Sequence, residues 1–219
     1  MLLSKRLEAI ANMIDQDDIV LDIGTDHGYL PIYLVSNQII KLAIACDIKD
    51  SPLKMASKNV EKANLKDKIK LVLSDGLESI TSYFNTIVIA GVGPRTIINI
   101  LTNGEAKIKG KTLILQSNVS SNLVRAWLSS NSFKIIDEAL VFEDNNYYEI
   151  IKAVNGKQLL TNSDLYLGPV IKKLKNETVF DYFNQMHDKY SRLIKKIPKK
   201  EISKIKKLEE IIEIYKKRI

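Results

Sequence analysis

The sequence holds one cysteine, two histidines and five arginines among its 219 residues. A single thiol, Cys46, excludes an internal disulfide, and two histidines leave no evident zinc-ligand set. No apolar run approaches the roughly 20 residues that a membrane-spanning helix needs. The first nine residues carry charges and lack the apolar core of a signal peptide. These absences lead to the expectation of a soluble chain in the cytoplasm, with no metal. Cys46 itself falls in the apolar run 42–46, where a packed strand thiol is expected rather than a reactive one. The length suits one full α/β domain with a small appendage.

Basic residues are mostly lysine, 28 against five arginines, beside abundant Asn and Ile, as an A/T-rich coding sequence produces. Codon bias therefore accounts for part of the net charge of +7. Its distribution says more. Residues 171–219 hold 15 Lys/Arg against seven Asp/Glu, a net of +8, whereas the preceding 170 hold 18 against 19, a net of −1. The positive charge belongs to the C-terminal tail.

The rest of the chain is organised around residues 19–34, Ile-Val-Leu-Asp-Ile-Gly-Thr-Asp-His-Gly-Tyr-Leu-Pro-Ile-Tyr-Leu. The apolar, β-branched run 19–23 predicts a buried strand ending at Gly24. From Tyr29 the apolar spacing becomes helical. Gly24 and Gly28 let the backbone turn sharply and leave room for a ligand. Strand, glycine turn and helix are the first half of a nucleotide-binding Rossmann unit. The spacing is Asp22-x-Gly24-x-Asp26-x-Gly28, which departs from G-x-G-x-x-G. Two carboxylates repel a pyrophosphate where a helix N-terminus should attract it. They suit a ligand with a cationic or hydrogen-bond-donating end, such as the amino-acid part of S-adenosylmethionine. The loop thus favours a methyltransferase over a dehydrogenase.

Residues 4–14 predict a short amphipathic helix with Leu7, Ile10, Ala11 and Ile14 on one face. Further strands are expected at 42–46, 69–73, 86–90 and 112–115, with helices over 29–35, 51–63, from 94 to about 101, and from about 118 through 127. Ser51 is a candidate N-cap, with Pro52 at the first helical position. Two β-rich runs, 133–142 and 147–154, flank a polar turn and predict an antiparallel hairpin. Five strand–helix units closed by a hairpin give an α/β doubly wound sheet, the Rossmann-like class I methyltransferase arrangement. This domain is expected to cover 1–155. Residues 156–219 are expected to form a connector and then two charged helices, about 170–196 and 199–217, separated near Pro198. Ile202, Ile205, Leu208, Ile212 and Tyr215 follow three- and four-residue steps, which predicts a coiled-coil-like helical hairpin.

Candidate ligand groups cluster at strand ends. Asp47 ends the second strand about 20 residues past the glycine loop, where an acid accepts hydrogen bonds from ribose hydroxyls; otherwise it is a solvated loop acid. Asp75 and Gly76 end the third strand, where Asp75 meets an adenine amino group or bonds its own turn backbone. Gly91 and Gly93 end the fourth, permitting close approach of a reactive group or only a tight turn. Gln116 and Asn118 end the fifth, offering amides to orient a base, or a helix cap at Asn118 or Ser120. His27, beside Asp26, is a catalytic or a structural histidine. Tyr29 stacks on a ligand or packs in the core.

Asp-Ile-Gly-Thr-Asp-His-Gly-Tyr-Leu-Pro at 22–31 resembles the Asp-Ile-Gly-Ser-Asp-His-Ala-Tyr-Leu-Pro signature of the bacterial tRNA (adenine-22-N1)-methyltransferase family. Ala-Gly-Val-Gly-Pro at 90–94 is similar to its Ala-Gly-Met-Gly-Gly, and Leu-Gln-Ser-Asn at 115–118 to its Leu-Gln-Pro-Asn. Arg125-Ala126-Trp127-Leu128 and Tyr148-Glu149-Ile150 also match family positions. The resemblance covers Leu7 to about Ile151, and the family too ends in a helical coiled coil. Gly28, Pro94 and Ser117 depart from the pattern, the last two near the expected base site. The resemblance implies S-adenosyl-L-methionine as methyl donor and N1 of adenine 22 in tRNA as acceptor. Under it, Asp22, Gly24, Gly28, Tyr29, Asp47, Asp75, Gly76 and Gly91 are expected at the donor. Asp26, His27 and Asn118 are expected at the reacting base. The basic tail becomes a phosphate-tracking arm for tRNA or a solvated helical surface, on a chain expected to be a monomer. Another RNA or protein acceptor, or tRNA binding without turnover, remain alternatives at this level.

Overall fold

A computed structural model describes residues 2–219 as two compact units, one ending at Gln158 and the other spanning Leu159–Ile219. In the first, five strands run parallel: β1 (Ile19–Ile23), β2 (Leu42–Asp47), β3 (Ile69–Leu73), β4 (Thr86–Val92) and β5 (Thr112–Ser117). A hairpin of β6 (Phe133–Glu143) and β7 (Asn146–Asn155) adds to β5 in the antiparallel sense. The sheet order is β3-β2-β1-β4-β5-β7-β6. The middle strands are covered on both faces, with Val20, Leu21, Ile87, Val88, Ile89, Leu113, Ile114 and Leu115 fully buried. That burial is why they read as unbroken apolar runs instead of alternating ones. The order reverses between β1 and β4, so a crevice opens at the carboxyl ends of these strands.

The helices of this unit are α1 (Lys5–Ala11), α2 (Tyr29–Ser36), α3 (Asp50–Lys62), α4 (Pro94–Asn103), α5 (Glu105–Ile108) and α6 (Ser121–Ser130). α1 stops at Ala11, three residues before the apolar pattern does. Met13 and Ile14 continue into the core as a turn. α3 starts at Asp50 with Lys49 in the N-cap position and no side-chain cap, so Ser51 lies inside the helix. Ser120 occupies the α6 cap position in a left-handed conformation, again with no side-chain bond. The hairpin turn is tighter than its polar run indicates: Asp144 and Asn145 both have positive φ, as a two-residue turn requires.

The strand–helix alternation fails once. Between β3 and β4 the chain makes turns and no helix. Lys107 Nζ donates to the carbonyls of Leu77, Glu78 and Ile80 at 2.6, 2.9 and 3.0 Å, capping groups that helical bonds would otherwise satisfy. Behind the hairpin, Arg125 is fully buried and bonded to Glu138 at 2.7 Å and Glu149 at 2.8 Å. Burial alone pulls the guanidinium pKa down; the two carboxylates outweigh it and hold the group charged.

In the second unit, α7 (Asn162–Leu167) opens with a capping box between Thr161 and Asp164. The Asn162-Ser163-Asp164 run, expected as connector, is therefore a helix start. The long helix expected from 170 begins later. A short 3-10 turn precedes α8 (Glu177–Ile194), which Asn176 caps through Val179 N–H. α8 packs with α9 (Ile202–Lys216). Tyr215, near the end of α9, meets Phe183 in the first half of α8, so the two helices run antiparallel. The seam is aromatic: Tyr215 also stacks on Tyr190, and its hydroxyl donates to the Tyr166 carbonyl at 2.9 Å. Leu208, Ile211 and Tyr215 are the buried positions of α9. Ile202, counted in the predicted stripe, is 73% exposed because it sits in the first turn, beyond the seam.

Candidate active site

A cavity of about 1090 Å³ lies over the carboxyl ends of β1 to β4, wholly within the first unit. Its floor is the loop after β1. Gly24 and Thr25 both donate their amides to the Cys46 carbonyl of β2, at 2.9 and 3.0 Å. This pins the turn to the neighbouring strand. Gly24 has φ +77°, and a Cβ there would point into open space, so its lack of a side chain leaves a cradle in the cavity wall. Gly28 does not line the cavity. It starts α2 at φ +72°, and a Cβ would press on Ala56 of α3 at 3.3 Å. Its role is close helix packing.

Asp22 is buried beneath this loop. Burial pushes its carboxyl up to about 6, Thr25 eases the charge, and Asp47 adds to the rise. Cys46 lies beside the same acids and is pushed up to about 12, again mainly by burial. A thiol held protonated in this way is unreactive. His27 Nδ1 is buried with no hydrogen-bond partner among the described residues. Unpaired buried polar atoms on a cavity wall are costly unless a ligand meets them.

Asp47 and Asp75 complete one wall. Asp47 Oδ1 accepts the Lys49 amide at 2.9 Å. Ser74 is buried behind Asp75; its hydroxyl donates to the Gly76 carbonyl and accepts the Ser79 amide. These bonds fix the turn that presents Asp75 and Gly76 to the cavity. Asp26 and His27 stand at the mouth, with Asp26 in the left-handed region at φ +50°. Its carboxylate lies 3.4 Å from His27 Nε2, and the His27 ring stacks on Tyr29 at 5.1 Å. Asn59 of α3 donates to the His27 carbonyl at 2.9 Å, steadying the turn.

On the opposite side Gly91 lines the cavity, while Gln116 and Asn118 stand behind it. Gln116 Oε1 accepts the Gly91 amide at 2.8 Å and Arg6 Nη1 at 3.0 Å. Asn118 Nδ2 donates to the Gly91 carbonyl at 2.7 Å. Arg6, from α1, lines the cavity and lies over the Tyr148 ring at 5.1 Å. Neither Arg6 nor Lys107, also in the wall, belongs to a strand-end motif. No pattern in the sequence singles them out.

A family profile described as TrmK, tRNA (adenine(22)-N(1))-methyltransferase, matches residues 20–217. The chain belongs to the TrmK family. The tRNA (adenine(22)-N(1))-methyltransferase of Bacillus subtilis is 37% identical over 191 residues, 84% of this chain and 80% of that one. A Streptococcus pneumoniae protein solved in complex with S-adenosyl-L-methionine superposes with a TM-score of 0.91 at 34% identity, covering 99% of both chains. M. capricolum TrmK in complex with S-adenosyl-homocysteine gives 0.87 at 34% identity, covering 99% of this chain and 97% of that one. The TrmK-family chain has the Rossmann-like methyltransferase fold, and S-adenosyl-L-methionine is the family's methyl donor.

The cavity fits that donor. The Gly24 cradle, the Thr25 hydroxyl beside Asp22 and the carboxylates of Asp22, Asp47 and Asp75 supply space, a polar group and acceptors. They would meet a ligand whose ends carry an ammonium, hydroxyls and an amino group. Among the described residues no group of His, Cys, Asp and Glu is placed to hold a metal ion. No helix among them is long and apolar enough to cross a membrane.

Proposed function

We propose that Asp22, Gly24 and Thr25 hold the amino-acid end of S-adenosylmethionine, that Asp47 accepts from its ribose, and that Asp75 and Gly76 receive its adenine. The observation that carries this reading is the convergence of three strand-end acids on one cavity of fitting size. Bound there, the donor supplies an electrophilic methyl group on a sulfonium. The chain's own task is mainly positioning, because adenine N1 has an in-plane lone pair and needs no base to attack. Attack forms the N1–C bond as the C–S bond breaks, leaving positive charge on the ring. Asp26, exposed at the mouth and beside His27, offsets that charge. His27 and Asn118 orient the base, and the buried Gln116 holds Asn118 in place. Tyr29, half-exposed and stacked on His27, lines the cavity on the donor's side.

N1 lies on the Watson–Crick edge, so the target base must be unpaired or extruded. The lysines of α9 and of the segment 195–200 before it support a reading of the second unit as the tRNA-holding arm. We read the enzyme as a cytoplasmic monomer whose α8 and α9 pair within one chain, a state that light scattering tests. The functional experiment supplies isotopically labelled S-adenosylmethionine and unmodified tRNA, then analyses the nucleosides by mass spectrometry. Label should appear in N1-methyladenosine and vanish when adenine 22 is changed. Label in any other nucleoside overturns the reading.

A further inference from the structure

The β6–β7 hairpin outruns the sheet it belongs to. Its pairing with β5 reaches Gln116 and Ile150, while β7 starts four residues earlier, at Asn146. Tyr147 therefore stands about 10 Å past Gln116, on the side of the sheet where the cavity opens. The tip is tied to the cavity rim. The Lys5 amide donates to Glu143 Oε1 at 2.5 Å, and the residues on either side of Lys5, Ser4 and Arg6, line the cavity. Tyr148 faces α1 beneath Arg6, and Glu149 faces α6 on Arg125. Alternation along the strand turns Tyr147 to the α6 face. Phe142 is its cross-strand partner, and the two rings lie 4.7 Å apart, tilted by 41°. Phe142 is 44% exposed, and Val119 and Leu123, where the chain enters α6, are exposed as well.

We propose that the Phe142–Tyr147 pair stacks on a tRNA base next to the target adenine and so fills the gap that extrusion leaves. This rests on the proposed function. Reaching N1 takes the target out of its stack, and each neighbouring base then loses a partner on one face. An aromatic surface held beside the cavity replaces that partner, whichever base the neighbour is, because every base has a π-face. Charge selects a base here over a phosphate. The tip carries Glu143 and Asp144, and no Lys or Arg falls between residues 135 and 151. Those acids repel the RNA backbone and leave an uncharged ring as the group that the pair accepts.

The test places 2-aminopurine, a fluorescent base, immediately before adenine 22 in one tRNA and immediately after it in another. With S-adenosylhomocysteine present, one of the two probes should stay quenched when the wild-type enzyme binds. The same probe should brighten, as an unstacked base does, on the double variant Phe142→Ala, Tyr147→Ala. For unlabelled tRNA that variant should lose about tenfold or more in kcat/KM, with S-adenosylhomocysteine affinity kept. Phe142→Tyr keeps a ring and should hold both readouts near wild type. Phe142→Leu, which keeps apolar bulk without a π-face, serves if the double variant does not fold. Equal emission from wild type and variant, on an enzyme that methylates adenine 22, overturns the stacking assignment and leaves that reaction standing. A wild-type dimer that the variant dissolves, seen by light scattering, gives the pair to a second copy of the chain and overturns the assignment too. Failure of the wild type to methylate adenine 22 overturns the proposed function, and this inference with it.

Discussion

Arg6 Nη1 lies 3.0 Å from Gln116 Oε1, joining residues 110 positions apart across the acceptor side of the cavity. The guanidinium is also stacked over Tyr148, and its Nε is buried with no partner among the described residues. Gly91 accommodates it: a Cβ there would stand 3.3 Å from Arg6 Nη1. Arg6 thus steadies the buried amide that supports Gly91 and Asn118, without standing at a strand end itself.

Replacing Arg6 by methionine keeps most of the stem and removes the donor. The expected result is a loss of about tenfold in kcat/KM for tRNA, the scale of one charge-assisted hydrogen bond. S-adenosylhomocysteine affinity should change far less, because the strand-end acids remain. An equal loss in both would assign Arg6 to the donor site instead.

Asp22 gives a prediction in which stability and binding oppose each other. A carboxyl held at about 6, against its ordinary 3.8, binds its proton more tightly folded than unfolded. Its contribution to stability is therefore full below about pH 4 and is lost as pH rises through 6. At pH 8 the ionised group costs the ligand-free fold about 3 kcal/mol. Asp22→Asn should raise Tm by several degrees at pH 8 and leave it unchanged near pH 4. The same variant should lose donor binding. For the wild type, S-adenosylhomocysteine affinity should weaken by up to about tenfold per pH unit below 6, as the carboxylate is protonated. Calorimetry across pH 5–8 measures this, and a flat profile would remove Asp22 from the ligand's ammonium.

Much of this site is legible in the sequence, because in a doubly wound sheet ligand groups sit where apolar runs stop. Asp22, Gly24, Asp47, Asp75 and Gly91 all follow that rule, and all line the cavity. Gly28 obeys the same spacing yet serves helix packing, since a glycine in a turn serves a ligand and a neighbouring helix equally well. Arg6 and Lys107 reach the cavity from helices whose sequences show only amphipathicity. Their partners are backbone carbonyls and a distant glutamine, which no local pattern encodes. The late start of α8 was hidden for a related reason: Lys172 and Lys173 favour helix, but Asn176 supplies the cap that decides where it begins.

The tRNA arm can be tested without truncation. Lys204, Lys206 and Lys207 are exposed on α9. Reversing all three to glutamate should raise KM for tRNA at least tenfold near physiological salt and flatten the dependence of binding on salt. Donor affinity and the far-ultraviolet spectrum should hold. An unchanged KM would reduce these lysines to a solvating surface.

Lys107 acts on the cavity through the segment that lacks a helix. Leu77 and Glu78 line the site, and their carbonyls, with that of Ile80, are held by one ammonium. Gly104 matters to the same wall: a Cβ there would collide with Leu77 Cδ1 at 2.1 Å. Lys107→Met keeps the aliphatic stem but leaves those carbonyls without their donor, so the turn carrying Asp75 and Gly76 loosens. The expected outcome is a rise of about tenfold in the dissociation constant of S-adenosylhomocysteine, with faster amide exchange confined to 75–85. KM for tRNA should stay near the wild-type value. Because the ammonium carries the effect, Lys107→Arg should restore part of the affinity, whereas Lys107→Gln should not. If methionine and arginine behave alike, the loop is held by packing against Gly104 and not by charge.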